Sequence, residues 1–322
     1  MNEMKQNGFT IKTQYGMVEG FAHGGCSVWY GIPFAKPPVG ELAFKHPVPP
    51  EPWEGVLQAR KGSCNPIQSE GDFSIGNNSM DCLYLNVFVP EEHDGPLPVM
   101  VWIFGGAWNQ GGAGAMRKDS AELQYDMSLF ARESGCAVVS INYRLNLYGF
   151  LNLHFLDARF DRNNGLYDQI LALQWVHDNI AAFGGDPDNI TLFGQSAGSS
   201  NITALMLMPE AQGLFQKAIC ESSFAMDISL TSQQDSRRIA EALFSLLGCR
   251  TLDEALGKTD EELLHAQQSL AAASMGGSSA FSDIESKLFS PVVDGVTIPV
   301  EYWRRFLHGG SRGVRFEQRR YG

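Results

Sequence analysis

The sequence predicts an α/β chain built on a mostly parallel central sheet with helices on both faces, and three observations carry that reading. Val99 to Phe104, Cys136 to Tyr143 and Asn189 to Phe193 are short, nearly continuous apolar runs, the pattern of strands buried on both faces. Between the second and third lies a helical period, with Leu166, Ile170, Leu173, Val176 and Ile180 on one face of Gly165 to Ala182. The third run leads straight into Gly194-Gln195-Ser196-Ala197-Gly198 and more small residues through Ser200, and Lys217 to Glu221 follows as a further strand. Strand and helix alternating at this spacing wind a parallel sheet.

Taken in order, residues 11–60 read as short strands and loops, punctuated by Pro37-Pro38 and the prolines between Pro47 and Pro52. Leu83 to Val89 reads as a strand. The run ending at Phe104 is followed by a Gly-rich loop through Gly114, and Gly184-Gly185 ends the helix before the third apolar run. From 232 to 288 the pattern is helical and amphipathic, with a break expected at the Ala/Ser/Gly stretch 271–280. This excursion is expected to cover the carboxyl edge of the sheet. Residues 303–322 carry six of the 24 Lys and Arg and show no clear periodicity. They read either as a solvated terminal segment or as sequence that is not native coding, so residues 1–302 form one domain and 303–322 an atypical Arg-rich tail.

Composition bounds the function. A chain of 322 residues with 44 % hydrophobic and 11 % aromatic residues is that of a globular enzyme. A net charge of −12 argues against nucleic acid and anionic membrane surfaces as partners. Met1 to Gly8 lacks the apolar core of a secretory signal, and Leu97 to Phe104 is too short to span a bilayer, so a cytoplasmic protein is expected. Six cysteines do not make a dense disulfide scaffold. No C-x-x-C or H-E-x-x-H occurs, so neither a metal nor another cofactor is expected. Nothing in the sequence bears on oligomeric state.

The pentapeptide at Ser196 carries the chemistry. A strand that turns sharply into a helix on G-x-S-x-G is the nucleophile turn of an α/β-hydrolase. The turn exposes the hydroxyl and lays the next backbone N–H at the helix N-terminus, where a developing oxyanion is stabilised. The pattern alone is weak, since 34 glycines and 26 serines produce roughly 0.3 matches by chance. A second match, Gly309-Gly310-Ser311-Arg312-Gly313, follows a segment without strand character and reads as coincidence. Phe104-Gly105-Gly106-Ala107-Trp108 ends the central strand with small residues, and such a turn can aim N–H groups at a carbonyl oxygen.

Phe183 to Gly198 and Asp81 to Val87 closely resemble the two signatures of the type-B carboxylesterase family, which includes cholinesterases and bacterial para-nitrobenzyl esterases. Gly31 to Ala35, Asn142-Tyr143-Arg144, Asp168-Gln169 and Pro291 to Gly295 match further landmarks in family order, so the resemblance spans about residues 10–302. It implies an α/β-hydrolase fold and a small-molecule carboxylic ester as substrate. It implies Ser196 as nucleophile and the N–H groups of Gly106, Ala107 and Ala197 as the oxyanion hole, with hydrolysis through an acyl-enzyme.

The departures from the family matter as well. Gln195 stands where the family usually has Glu, which makes affinity for cationic esters doubtful. Ala43 and Met80 replace the partners of one family ion pair, while Arg144 and Asp168 retain another and are expected to meet. Cys64 and Cys82 match a pair that is bonded in secreted members and are expected here as two buried thiols; Cys249 is expected to be free. The resemblance places the family's acid and His beyond the Pro291–Gly295 landmark. Only His265 and His308 follow Ser196, and neither matches. The C-terminal strands of the fold, the acid and the His are thus expected to be missing, with Lys217 to Glu221 left as an unpaired edge and the chain inactive without them. Trp108 and Phe224 either line the pocket or pack in the core. A non-catalytic, cholinesterase-like binding module is the alternative function.

Overall fold

Short strands set between glycines and prolines open the chain: β1 (Thr10–Lys12), β2 (Met17–Glu19), β3 (Phe21–His23), β4 (Cys26–Pro33) and β5 (Val56–Gln58). The computed structural model describes residues 9–68, 77–113, 125–222, 230–275, 288–301, 304 and 315–319. The apolar runs then appear as β6 (Tyr84–Pro90), β7 (Leu97–Ile103) and, after α1 (Ser128–Ser134), β8 (Ala137–Ile141). Next come α2 (Asn146–Phe150), α3 (Asn164–Asn179), β9 (Gly185–Gln195), α4 (Ala197–Leu205) and β10 (Lys217–Glu221). The two-residue strand β11 (Thr231–Ser232) precedes three helices, α5 (Gln233–Leu247), α6 (Leu252–Leu256) and α7 (Asp260–Met275). Two more strands, β12 (Val292–Val293) and β13 (Arg315–Arg319), complete the described elements.

The main sheet has the order β13-β10-β9-β7-β8-β6-β4-β3. Every pairing from β13 to β8 is parallel, and the three that add β6, β4 and β3 are antiparallel. The mostly parallel sheet of an α/β-hydrolase is therefore its centre, while the N-terminal flank is antiparallel. β1, β2 and β5 form a separate small sheet.

One face of the parallel strands is fully buried, with Val99, Val101, Ile103, Val139, Ile141 and Leu192 inaccessible to solvent. On the other face Val138 is buried but Met100, Trp102 and Phe193 are half-buried, so burial on both faces holds for β8 and not for β7 or β9. The five apolar residues of the α3 period are all buried. α4 is buried on every side, as a helix between a sheet and other helices must be. No helix among the described residues is long and apolar enough to cross a membrane.

Three expectations change. The helix at 165–182 stops at Asn179 and tightens into a 3-10 turn, Ile180–Phe183, closed by Gly184 at φ +91°. α7 runs through Ala271-Ala272-Ala273 to Met275 instead of breaking at 271, because alanine is the strongest helix former and only the later Gly and Ser oppose it; residues 276–287 lie outside the described residues. Finally, the β10 edge is paired: Arg315–Arg319 runs parallel to Lys217–Glu221. Pairing requires only free N–H and C=O groups on the added strand, not an apolar pattern. That is why the tail carried no readable signal. Gly309 to Gly313 and His308 lie outside the described residues.

Arg144 and Asp168 meet in the core. Arg144 Nη2 lies 2.6 Å from Asp168 Oδ1 and Nε 2.8 Å from Oδ2, with side chains 1 % and 0 % exposed. Asp168 Oδ2 also accepts the backbone N–H of Arg144, and Arg144 Nη1 donates to Ala43 O at 3.1 Å. Such a pair is tolerated in low dielectric because its geometry is bidentate and its remaining donors are used. Asp168→Asn leaves the guanidinium uncompensated and is expected to destabilise the fold by about 3–5 kcal/mol, read as a lowered urea midpoint. The double replacement Arg144→Met with Asp168→Leu is expected to lose less.

Candidate active site

β7 and β9 pair with Ile103 opposite Gly194, so the loops leaving their carboxyl ends start at the same level. β9 ends at Gln195 and α4 begins at Ala197, which leaves Ser196 alone to turn the chain. It does so at φ +53°, ψ −121°, a conformation that costs an L-residue on the order of 1–3 kcal/mol. The glycines around it are required by space. A Cβ on Gly198 would lie 2.1 Å from Ile103 O and 2.8 Å from Phe104 O; one on Gly194 would lie 2.6 Å from Ile103 O, and one on Gly105 2.4 Å from Gln195 O. These are backbone atoms and cannot swing aside. On the other side, Ser196 N–H donates to Glu221 O of β10 at 2.9 Å.

The loop after β7 curls back on itself with Gly106 at φ +120°, Ala107 at +52° and Trp108 at +59°. Gly106 O accepts from the N–H groups of Asn109 and Gln110 at 3.0 and 3.2 Å. The N–H groups of Gly106, Ala107 and Ala197 meet no acceptor among the described residues. Ala197 opens α4, so its N–H is one of the free donors at the positive end of the helix. Ser196 and Gly106 are half-buried, and Gln195 and Ala107 exposed. The arrangement is an accessible hydroxyl flanked by unpartnered donors, next to a loop of the neighbouring strand.

Among the described residues, no imidazole or carboxylate is hydrogen-bonded to Ser196 Oγ. His265 is exposed on α7, beside Lys258 in a cleft of about 420 Å³. His177 is exposed on α3, 3.1 Å from Asp178. His23, His46, His93 and His154 bond to Asp126, Arg162 O, Gly95 O and Phe160 O. Cys220, on the strand beside β9, is buried against Ser199 O, and burial pushes its thiol up to about 11. It is thus a neutral thiol at neutral pH and no rival nucleophile.

Of the two readings of Trp108, the structure supports core packing: it is 5 % exposed, and its indole donates to Asn201 Oδ1 at 2.8 Å. Phe224 lies outside the described residues. Cys64, Cys82 and Cys249 are free thiols; Cys82 is buried as expected, whereas Cys64 is only half-buried. Ala43 and Met80 are buried, and both line one cleft of about 440 Å³ with Tyr148 and Asp260. No group of side chains among the described residues is arranged to hold a metal ion. Sequence reasoning missed Asn201, whose one signal is a long polar side chain on a helix otherwise made of small and apolar residues. It also missed Asn146, at φ +58°, whose side chain joins Ile67 O and Gln267 at 2.8 and 2.7 Å.

Residues 7–308 match the model of the carboxylesterase family. The chain is 42 % identical over 311 residues to para-nitrobenzyl esterase of Bacillus subtilis, covering 94 % of this chain and 60 % of that protein. It is 38 % identical over 312 residues to carboxylesterase 1D of Rattus norvegicus, covering 89 % and 52 %. A solved PNB esterase superposes with a TM-score of 0.85 at 40 % identity, covering 97 % of this chain and 63 % of the other. The chain therefore spans between half and two thirds of the length of these relatives.

The glycine contacts generate a test of the turn. Gly198→Ala forces its methyl onto Ile103 O, and is expected to part α4 from β7, seen as lost soluble yield and lost reactivity of Ser196. Gly257→Ala meets only Asp253 O and Glu254 O, at 3.4 and 3.5 Å, and is expected to be tolerated in both measurements.

Proposed function

We propose, given that this chain belongs to the carboxylesterase family, that it is built to hydrolyse small-molecule carboxylic esters through an acyl-enzyme on Ser196. The observation that carries the reading is the pairing of a strained, accessible serine at the end of β9 with free N–H groups on α4 and on the loop after β7. Ser196 Oγ attacks the ester carbonyl, and the carbonyl oxygen takes up the negative charge as an oxyanion. The N–H groups of Gly106, Ala107 and Ala197 receive that charge; loss of one such donor weakens transition-state stabilisation by about 3 kcal/mol. Collapse breaks the bond to the alcohol oxygen, which leaves with a proton, and water then releases the acid from the serine. Gln195 places no negative charge beside the serine, which supports neutral esters over cationic ones. The general base is assigned to none of the described residues.

The test uses a fluorophosphonate probe and p-nitrophenyl acetate on the 322-residue chain. Any phosphonylation is expected at Ser196 and nowhere else, and Ser196→Ala is expected to abolish it together with any ester hydrolysis. Labelling or hydrolysis that survives the substitution would overturn the assignment. Hydrolysis at enzymatic rates would show that a general base is held within these residues, because serine is a weak nucleophile without one.

A further inference from the structure

Oxyanion donors work only when they are already in place as charge develops, and the loop that carries two of them is not a comfortable one. Ala107 and Trp108 both have left-handed backbone, at φ +52° and +59°, where an L-residue with a Cβ is unfavourable. A loop of this kind relaxes unless its surroundings fix it. Its start is fixed from β8: Tyr143 Oη donates to Phe104 O at 2.7 Å, and the two rings stack 4.3 Å apart. Burial pushes the Tyr143 phenol up, so it stays a neutral donor. Its end is fixed at Trp108, whose carbonyl accepts Asn146 N–H at 2.8 Å and whose indole donates to Asn201 Oδ1 at 2.8 Å.

Asn201 sits on α4, the helix whose first residue is Ala197. It is fully buried. A buried amide is unfavourable unless it is paired. The Asn201 Nδ2 meets no acceptor among the described residues, so the bond its Oδ1 accepts from Trp108 is what its placement gains. The indole N–H groups of Trp102 and Trp175 are also buried, with no acceptor among the described residues, so a buried indole is not always given one. Trp29 and Trp53 donate to the backbone carbonyls of Phe9 and Met17; among the described residues Trp108 alone is met by a side chain placed for it.

We propose that Asn201 is a positioning residue for ester hydrolysis: by accepting the Trp108 indole N–H, it ties the loop carrying the Gly106 and Ala107 donors to the helix carrying Ala197. The three donors thereby share one rigid frame. The proposal rests on the reading of those N–H groups as the oxyanion hole. Asn201 acts through Trp108 and does not touch substrate.

The experiment has two arms on the full chain, comparing wild type with Asn201→Leu, Trp108→Phe, their combination, and Asn201→Asp, which keeps an acceptor oxygen. The first arm is amide hydrogen exchange at Asn109, Gln110 and Asn146, whose N–H groups bond to Gly106 O and Trp108 O. Asn201→Leu and Trp108→Phe are expected to speed exchange there about tenfold, the scale of one lost buried hydrogen bond, with the combination no faster and Asn201→Asp near wild type. Unchanged exchange, or an equal rise across the whole chain, would overturn the proposal.

The second arm is the ratio of Ser196 phosphorylation rates with a matched phosphate (P=O) and thiophosphate (P=S) triester. Sulfur accepts hydrogen bonds poorly, so the ratio reports the donors and not general damage. It is expected to fall several-fold in Asn201→Leu and recover in Asn201→Asp; both rates falling together would overturn the proposal. If wild-type Ser196 does not react, it is the proposed ester hydrolysis that fails, and the exchange arm alone decides whether Asn201 holds the loop.

Discussion

The site depends on one close approach of backbone to backbone. The carbonyl oxygen of Ile103, at the end of β7, lies where any Cβ on Gly194 or Gly198 would have to go. That contact draws the strand-to-helix turn onto the neighbouring strand and leaves Ser196 as the residue that must adopt positive φ. It also sets the level of the donor loop, which leaves β7 one residue later. Ser196 and the unpartnered N–H groups are neighbours because two parallel strands are in register and small residues let them touch. The chain reaches this point at a switch in winding. From β7 it moves to β8 on one side and then crosses back to β9 on the other, and crevices open beyond the carboxyl ends of strands where the winding reverses.

Around that contact, polar side chains do what loops cannot do for themselves. Asn142 accepts Ala113 N–H at 2.7 Å and donates to Cys64 O and Cys82 O, both at 2.9 Å, so one side chain joins three segments. Asn163 accepts Val292 N–H and donates to Val292 O and Thr297 Oγ1. Asp294 accepts the N–H groups of Val296, Thr297 and Ile298. With Arg144 and Asp168, Asn142 and Asp294 occupy motif positions that the sequence shares with its family, whereas Asn163 does not, and none of them is hydrogen-bonded to Ser196. Satisfied polar groups in low dielectric are rigid and unforgiving. The motifs outside the nucleophile turn therefore report how the frame is held rather than how the reaction proceeds.

The legible parts of this chain were those written in local pattern. The three apolar runs and the α3 period are set by burial on two faces or one. The Ser196 turn is set by sterics that permit only glycine, so both could be read residue by residue. The Arg144–Asp168 pair was legible only through family resemblance, since nothing local brings residues 24 apart together. β13 was illegible because a strand added to an exposed edge is held by its backbone. Trp108 stood open between pocket and core because its placement depends on Asn201, 93 positions away. The same long-range dependence hid Asn146 and Gln267, which meet only after α7 folds across α2.

Strain is the final argument for what the site is for. Positive φ at Ser196, Ala107 and Trp108 is unfavourable at each position, and the N–H groups of Gly106, Ala107 and Ala197 gain no hydrogen bond among the described residues in return. A protein that used this face only to bind a partner would have no need to hold a serine in that conformation, and a glycine there would relieve it. In the proposed reaction these features act together in a tetrahedral intermediate, when the hydroxyl on the strained turn is bonded to carbon and the open donors meet an oxyanion. On that proposal, the positive-φ turn between β9 and α4 presents the serine, and the buried residues of α4 around it hold the turn in place.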